Sequence, residues 1–111
     1  MTTMTTILIT GANTGIGFQI VRALSSSSQP YHILVGARSS AKANDAIKAA
    51  QDEFPSSISM YSPVIVDIES DESIQSAFAQ VSAAHGKLDV LINNAGMPLL
   101  LGDKYKIKFI G

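Results

Sequence analysis

Short apolar runs, rich in β-branched residues, alternate along this chain with longer segments whose apolar residues recur every three to four positions. Four such runs are found, at residues 6–10, 32–37, 63–66 and 88–92. Each is typical of a strand buried in a parallel sheet, and the segments between them are typical of amphipathic helices. The order βαβαβαβ predicts an α/β fold, a Rossmann-type doubly wound parallel sheet with right-handed crossovers and strand order 3-2-1-4.

The helix boundaries follow from local chemistry. A helix is expected from Ile16 to the polar loop at residues 25–30, and a second over residues 41–54, stopped by Pro55. Ser70 is a good N-cap for a third helix, which Gly86 ends. The apolar spacing predicts three inward faces: Ile16, Ile20, Ala23 and Leu24; Ala46, Ala49, Ala50 and Phe54; Ile74, Ala77, Phe78 and Val81. Right-handed crossovers place the first two helices on one face of the sheet and the third on the other.

Composition narrows the function classes. The chain has 111 residues, 46% of them hydrophobic and 15% charged, with a net charge of −1 and no cysteine. Without a basic block, nucleic-acid binding has no electrostatic support, and without cysteine there are no disulfides or thiolate metal sites. The N-terminus does not resemble a secretory signal, and no run approaches the roughly 20 apolar residues of a membrane helix. A cytoplasmic location, with no membrane or nucleic-acid partner and no metal, is therefore expected.

A glycine-rich turn, residues 10–17, lies between the first strand and the first helix and has the sequence TGANTGIG. The first glycine permits a tight turn, the second allows close approach of a pyrophosphate, and the third allows the helix to pack on the sheet. The helix N-terminus offers N–H groups and a positive dipole end to phosphates. The predicted cofactor-binding residues here are Gly11, Asn13, Thr14, Gly15, Ile16 and Gly17. The alternative is a glycine-rich turn that binds nothing.

The end of the second strand indicates which dinucleotide is bound. NAD sites usually have an acidic residue there to hold the ribose hydroxyls, whereas this chain has Arg38 and no carboxylate. An arginine attracts a 2′-phosphate and its planar fork suits phosphate oxygens, so NADP is predicted in preference to NAD. The alternative is that Arg38 is a solvated loop residue.

The turn resembles the TGxxxGxG motif of the short-chain dehydrogenases/reductases, in their non-extended branch. Other features follow in that family's order over about residues 6–96: Arg38, Asp67 after the third strand, and Asn93-Asn94-Ala95-Gly96 after the fourth. The resemblance implies that Asp67 contacts the adenine amino group and that Ile68 lies against the ring. It also implies that Asn94, Ala95 and Gly96 border the cofactor while Asn93 braces the backbone.

The resemblance further implies an NADP-dependent oxidoreductase that transfers hydride to or from a small carbonyl or alcohol. In the family a tyrosine is the general acid or base, a lysine four positions later lowers its pKa, and a serine helps to hold the substrate. Tyr31, Tyr61 and Tyr105 are followed four positions later by Val, Ile and Phe, so no catalytic residue is predicted. The histidines, His32 and His85, do not replace them. Three alternatives stay open for this chain: an enzyme, a non-catalytic NADP(H)-binding module, or a truncated product without function.

The last fifteen residues depart from the family pattern. We therefore expect an NADP-binding half-domain over residues 1–96 and an atypical tail over residues 97–111. Tyr105, Ile107 and Phe109 alternate with lysines, which is typical of an edge strand. The favoured interpretation is instead that the tail is unrelated to the fold, which would leave the fourth strand at an exposed, aggregation-prone edge. Substrate and oligomeric state stay open.

Overall fold

The computed structural model describes residues 4–67, 70–86, 88–93 and 106–109. The strands in this part are β1 (Thr5–Thr10), β2 (Tyr31–Ala37), β3 (Met60–Ile65), β4 (Val90–Asn93) and β5 (Lys106–Phe109). The helices are α1 (Gly15–Ser25), α2 (Ser40–Glu53) and α3 (Asp71–His85). The strands form one sheet in the order β3-β2-β1-β4-β5, and every pairing in it is parallel. The predicted α/β class and the order 3-2-1-4 are confirmed.

The sheet is covered on both faces, and successive strand residues alternate between two cores. Ile7 and Ile9 of β1 belong to the core under α1 and α2, whereas Leu8 belongs to the core under α3. The first core also includes Val21, Ile33, Val35, Ala43, Ala46 and Ala50. The second includes Leu34, Val64, Val66, Ile74, Ala77, Val81 and Leu91. This division confirms the predicted placement of two helices on one face and one on the other.

The inward faces of α1 and α2 agree with the prediction in part: Ile20 and Leu24 pack against the first core, and Ala46 and Ala50 are buried in it. Ile16 is 55% exposed and Ala23 is exposed, and the buried residues of α1 are Gly17, Val21 and Ser25. In α2, Ala49 is exposed, and Ala43 is buried together with Ala46 and Ala50. The buried positions of both helices are thus mostly small residues, which let the helix backbones approach the sheet closely, and larger side chains pack beside them. The apolar residues of α3 were predicted correctly, since Ile74, Ala77 and Val81 are buried and Phe78 packs against them.

Ser25 is a polar residue in the buried face of α1, and its hydroxyl is paired on both sides. It donates a hydrogen bond to the Val21 carbonyl oxygen at 2.7 Å and accepts one from the Tyr61 hydroxyl at 2.7 Å. Burying a hydroxyl is tolerated when such bonds replace its water contacts. The chain Tyr61–Ser25–Val21 therefore links β3 to α1.

The prediction that the fourth strand lies at an edge is wrong. β5 pairs with β4 in parallel, with Val90 opposite Lys106 and Asn93 opposite Phe109. The edge strand that the alternation of the tail indicated is thus present. The interpretation of the tail as unrelated to the sheet does not account for β5.

At the amino edge of the sheet, where the strands begin, polar groups are paired within the protein. The Thr6 N–H donates to an Asp89 carboxylate oxygen at 2.8 Å, and the Asp89 N–H donates to the Thr6 carbonyl oxygen at 3.0 Å. His32 Nε2 lies 2.8 Å from Ser62 Oγ, and its ring meets that of His85 edge-on at 4.5 Å between centroids. Partial burial, with the nearby His85 as a smaller cause, lowers the pKa of His32.

Candidate functional site

The described residues of the predicted site meet at the opposite, carboxyl edge of the sheet. The glycine-rich turn follows β1, Arg38 follows β2, and Asp67 lies two residues beyond β3. β1 is the central strand from which the chain runs outward to β2 on one side and, later, to β4 on the other. In doubly wound sheets, ligands bind in the crevice at such a topological switch point. The fold therefore gathers residues that lie more than fifty positions apart in sequence.

Two glycines give the turn its backbone path. Gly11 and Gly15 have φ values of 60° and 58°, in the left-handed region that favours glycine. A Cβ added at Gly15 would meet no heavy atom within 4 Å, so open space lies in front of this backbone. An anionic group could therefore approach the chain closely at Gly15. A side chain there would be strained and would enter that space.

The turn is held from below by β2. The N–H of Ala12, which is fully buried, donates to the Gly36 carbonyl oxygen at 2.9 Å. A Cβ at Gly36 would lie 2.7 Å from the Ile9 carbonyl oxygen and 3.1 Å from a Val66 methyl carbon, so only glycine fits there. Gly36 was missed as a residue that supports the site. Its signal was a glycine inside an apolar strand, which often marks a close backbone approach.

The start of α1 is not capped by a side chain. Thr14 is its N-cap, with extended backbone angles, and its hydroxyl makes no capping hydrogen bond. The first-turn N–H groups have no acceptor inside a helix, and the helix dipole adds positive potential there. The turn thus presents open backbone, N–H donors and a positive helix end at one place. This combination suits a phosphate.

The remaining predicted residues of the turn differ in exposure. Gly17 is buried at the contact of α1 with the sheet, whereas Ile16 points away from the core and is exposed. Asn13 lines a groove of about 320 Å³ between the turn and α2. The groove is also lined by Phe18, Lys42, Asp45, Ala46 and Ala49. It provides room for a ligand beside the turn.

Arg38 and Asp67 lie side by side. Arg38 Nε is 3.9 Å from Asp67 Oδ1, an ion-pair distance that is too long for a direct hydrogen bond. Their side chains are 64% and 43% exposed, so a soluble ligand can reach both. Ser39, next to Arg38, caps α2 by accepting a hydrogen bond from the Lys42 N–H at 3.2 Å. A hydroxyl that accepts this bond still has its own hydrogen to donate.

Four predicted cofactor residues, Ile68, Asn94, Ala95 and Gly96, lie outside the described part of the chain. Asn93 ends β4 opposite Thr10 of β1, which places its backbone at the carboxyl edge beside the glycine-rich turn. Among the described residues there is no group of three or more His, Asp or Glu side chains that could hold a metal ion. None of the described helices has the length and apolar character needed to cross a membrane.

The other candidate titratable groups lie away from this site. Tyr31 and Tyr61 sit in the first two residues of β2 and β3, at the amino edge. The Tyr31 hydroxyl donates to Gln29 at 3.2 Å and the Tyr61 hydroxyl to Ser25 at 2.7 Å. His32 is also at that edge, in contact with His85. These groups thus lie about one strand length away from the turn.

Comparison with known proteins identifies the family. Residues 5–108 match the family model of the short chain dehydrogenases. Short-chain dehydrogenase/reductase eupG of Phoma sp is 50% identical over 93 residues, covering 83% of this chain and 34% of that protein. (+)-Neomenthol dehydrogenase of Arabidopsis thaliana is 32% identical over 96 residues, covering 86% of this chain and 32% of its own length.

The fold is also similar to that of solved reductase structures. L-sorbose reductase from Gluconobacter frateurii, in complex with NADPH and L-sorbose, superposes with a TM-score of 0.71 at 26% identity. That match covers 87% of this chain and 35% of the reductase. An actinorhodin polyketide ketoreductase with NADPH gives a TM-score of 0.64 at 29% identity, over 88% and 36% of the two chains. This chain spans about a third of the length of the relatives that it matches. It belongs to the short-chain dehydrogenase family.

Proposed function

We propose that this chain forms the NADP(H)-binding part of a short-chain dehydrogenase/reductase oxidoreductase. The observation that carries the proposal is the glycine-rich turn, where open space in front of Gly15 meets the uncapped start of α1. Arg38 at the end of β2 supports a 2′-phosphate, and so NADP over NAD. Two relatives in the family were solved with NADPH, which supports the same cofactor here.

Each part of the site has a role in this proposal. The backbone of Gly15 and the first-turn N–H groups of α1 bind the pyrophosphate, with Asn13 and Thr14 beside it and Ile16 at the mouth of the crevice. Arg38 binds the 2′-phosphate, and Asp67 binds the adenine amino group. Ile68, Asn94, Ala95 and Gly96 complete the adenine and ribose contacts. NADP supplies the hydride chemistry, and the chain's own residues bind and orient the nucleotide.

The reaction we propose is hydride transfer to or from a small carbonyl or alcohol. The 111-residue sequence contains no Tyr-x-x-x-Lys. The family's general acid, a tyrosine four positions before a lysine, is therefore not found among these 111 residues. In the family, that tyrosine is held near the nicotinamide.

Calorimetric titration with NADPH, NADH, 2′,5′-ADP and 5′-AMP tests nucleotide binding. We expect 2′,5′-ADP to bind more weakly than NADPH, because it keeps the adenine and the 2′-phosphate but only one of the two pyrophosphate phosphates. NADH should bind more weakly than NADPH, and 5′-AMP more weakly than 2′,5′-ADP, since the weaker ligand of each pair has no 2′-phosphate for Arg38. No binding by any of the four would contradict the proposal and favour a product without function.

A second candidate is a non-catalytic NADP(H)-binding module. It is favoured by the position of Tyr31 and Tyr61 at the amino edge, away from the turn, and by the missing Tyr-x-x-x-Lys. Oxidation of NADPH by the 111-residue chain, followed at 340 nm with a panel of small ketones and aldehydes, separates the two. Binding without turnover supports the module, and turnover supports the enzyme.

A further inference from the structure

Arg38 and Asp67 are held next to each other by the ends of their strands. The Val66 N–H donates to the Ala37 carbonyl oxygen at 2.8 Å, which fastens the chain after β3 to the last residue of β2. Arg38 and Asp67 are the next residues on each side of this bond. The arginine and the carboxylate therefore start from backbone positions that the sheet itself sets.

The backbone of Asp67 is anchored on its other side by α3. Its N–H donates to Ser73 Oγ at 2.8 Å, and its carbonyl oxygen accepts from the Ser70 N–H at 3.0 Å. These bonds hold the backbone of Asp67 beside that of Arg38. The carboxylate therefore starts within reach of the guanidinium, and both groups are in contact with water.

A 2′-phosphate and the Asp67 carboxylate compete for one cation. Both are anions, both suit the planar fork of an arginine, and a carboxylate beside the fork also repels the phosphate. The family role of Asp67, a contact with the adenine amino group, does not involve this competition. We propose that Asp67 acts through Arg38 as a specificity-determining residue that weakens the site's preference for a 2′-phosphate. This inference rests on the proposed function, since it requires Arg38 to receive that phosphate.

The expected effect is modest because the pair is exposed and the ions are partly screened. An exposed ion pair changes an equilibrium constant by a factor of about two to five. Removing the Asp67 charge should therefore raise the preference for a 2′-phosphate by about threefold at low salt. The gain should shrink toward one in 0.5 M salt, where the screening length falls to about 4 Å.

The experiment measures the ratio of the Kd of 5′-AMP to the Kd of 2′,5′-ADP, two ligands that differ only by the 2′-phosphate. Both ligands carry the same adenine, so any loss of the amino-group contact cancels in the ratio. The variants are Asp67→Asn, Arg38→Gln and the double variant, compared with Asp52→Asn. Asp52 is a matched control because it also forms an exposed ion pair, with Lys48 at 3.2 Å, and it lies toward the end of α2.

We expect Asp67→Asn to raise the ratio about threefold and Asp52→Asn to leave it unchanged. In the Arg38→Gln background, Asp67→Asn should have a clearly smaller effect on the ratio, because only the direct repulsion of the phosphate remains there. An unchanged ratio in Asp67→Asn, or a full increase that persists without Arg38, overturns the inference while leaving NADP binding intact. A wild-type chain that binds the two ligands equally fails at the earlier step and overturns the NADP assignment itself.

Discussion

The start of α1 and the starts of α2 and α3 lie at the same edge of the sheet and are built differently. Ser39 and Ser70 cap α2 and α3, each accepting a hydrogen bond from an N–H three residues on at 3.2 Å. Thr14 at the start of α1 makes no such bond, although threonine can cap a helix. Gly11 and Gly15, on either side of it, have positive φ values, and the space in front of Gly15 is open.

The presence or absence of a side-chain cap distinguishes a helix start whose N–H groups are used within the protein from one whose N–H groups can bind a ligand. A capped end satisfies its own N–H groups and adds to the stability of the helix. At α1 that contribution is absent, and a phosphate oxygen can occupy the place of the cap. The protein gives up about 1 kcal/mol of helix stability at the position where the proposed nucleotide would restore it.

The largest effect is expected from giving α1 a charged cap. Thr14→Asp should stabilise the chain by roughly 0.5–1 kcal/mol, because an aspartate caps the helix and interacts favourably with its dipole. The same carboxylate would repel the pyrophosphate, so the Kd of NADPH should rise about thirtyfold at low salt. Urea unfolding and calorimetry measure the two effects. Ser28→Asp makes the same charge change on an exposed loop residue and should alter neither the free energy of unfolding nor the Kd of NADPH by much. If Thr14→Asp binds NADPH as tightly as the wild type, the pyrophosphate does not bind at the start of α1.

A smaller loss of binding is expected from Gly15→Ala. The change forces a side chain into the left-handed region, at about 1–2 kcal/mol, and puts a methyl group into the open space before the turn. Gly86→Ala is a matched control, because Gly86 has φ of 80° and equally open surroundings but ends α3. Both variants should unfold at lower urea concentrations. Only Gly15→Ala should also raise the Kd of NADPH, by about tenfold. Equal Kd values of NADPH for Gly15→Ala and Gly86→Ala would show that the glycine-rich turn is not part of the binding site.

Removing the hydroxyls compares the helix starts directly. Ser70→Ala should lower the free energy of unfolding by about 1 kcal/mol, because the Ser73 N–H loses its acceptor. Thr14→Ala should change it by less than about 0.5 kcal/mol, since no capping bond is lost. Urea denaturation curves of the two variants, recorded side by side, measure the difference. A loss of similar size in Thr14→Ala would show that α1 is capped after all.

The smallest effect concerns the amino edge and its dependence on pH. Partial burial, and less so His85, lowers the pKa of His32 below that of the unfolded chain. The unfolded state therefore binds the proton more readily, so stability is fully present above about pH 6.5 and falls as the pH drops below it. In His32→Gln, the midpoint of thermal unfolding should change less between pH 7 and pH 5 than it does in the wild-type protein. The affinity for NADPH at pH 7 should be the same in the variant and the wild type, because His32 lies at the other end of the sheet.

Much of this fold could be predicted because strand burial and helix caps are local signals. Ser70 caps the start of α3 and Gly86 caps its end, as expected, and Ile74, Ala77 and Val81 face inward. The rotation of α1 could not be predicted in the same way. Its apolar spacing indicated Ile16, Ile20, Ala23 and Leu24. Ile20 and Leu24 pack against the core, but the buried residues are Gly17, Val21 and Ser25. A pattern of apolar residues does not show how closely a helix can approach, and small residues decide that.

The features of the site can be separated in the same way. The amino-acid sequence by itself predicted the glycine-rich turn, the position of Arg38 at the end of β2 and the strand order, because backbone freedom, charge and hydrophobic periodicity are properties of residues and their neighbours. Only the tertiary structure decided that β5 covers β4, that Gly36 supports the turn and that Asp67 lies 3.9 Å from Arg38. Those features depend on distances between segments far apart in the chain, which are set when the strands pair and the two cores pack.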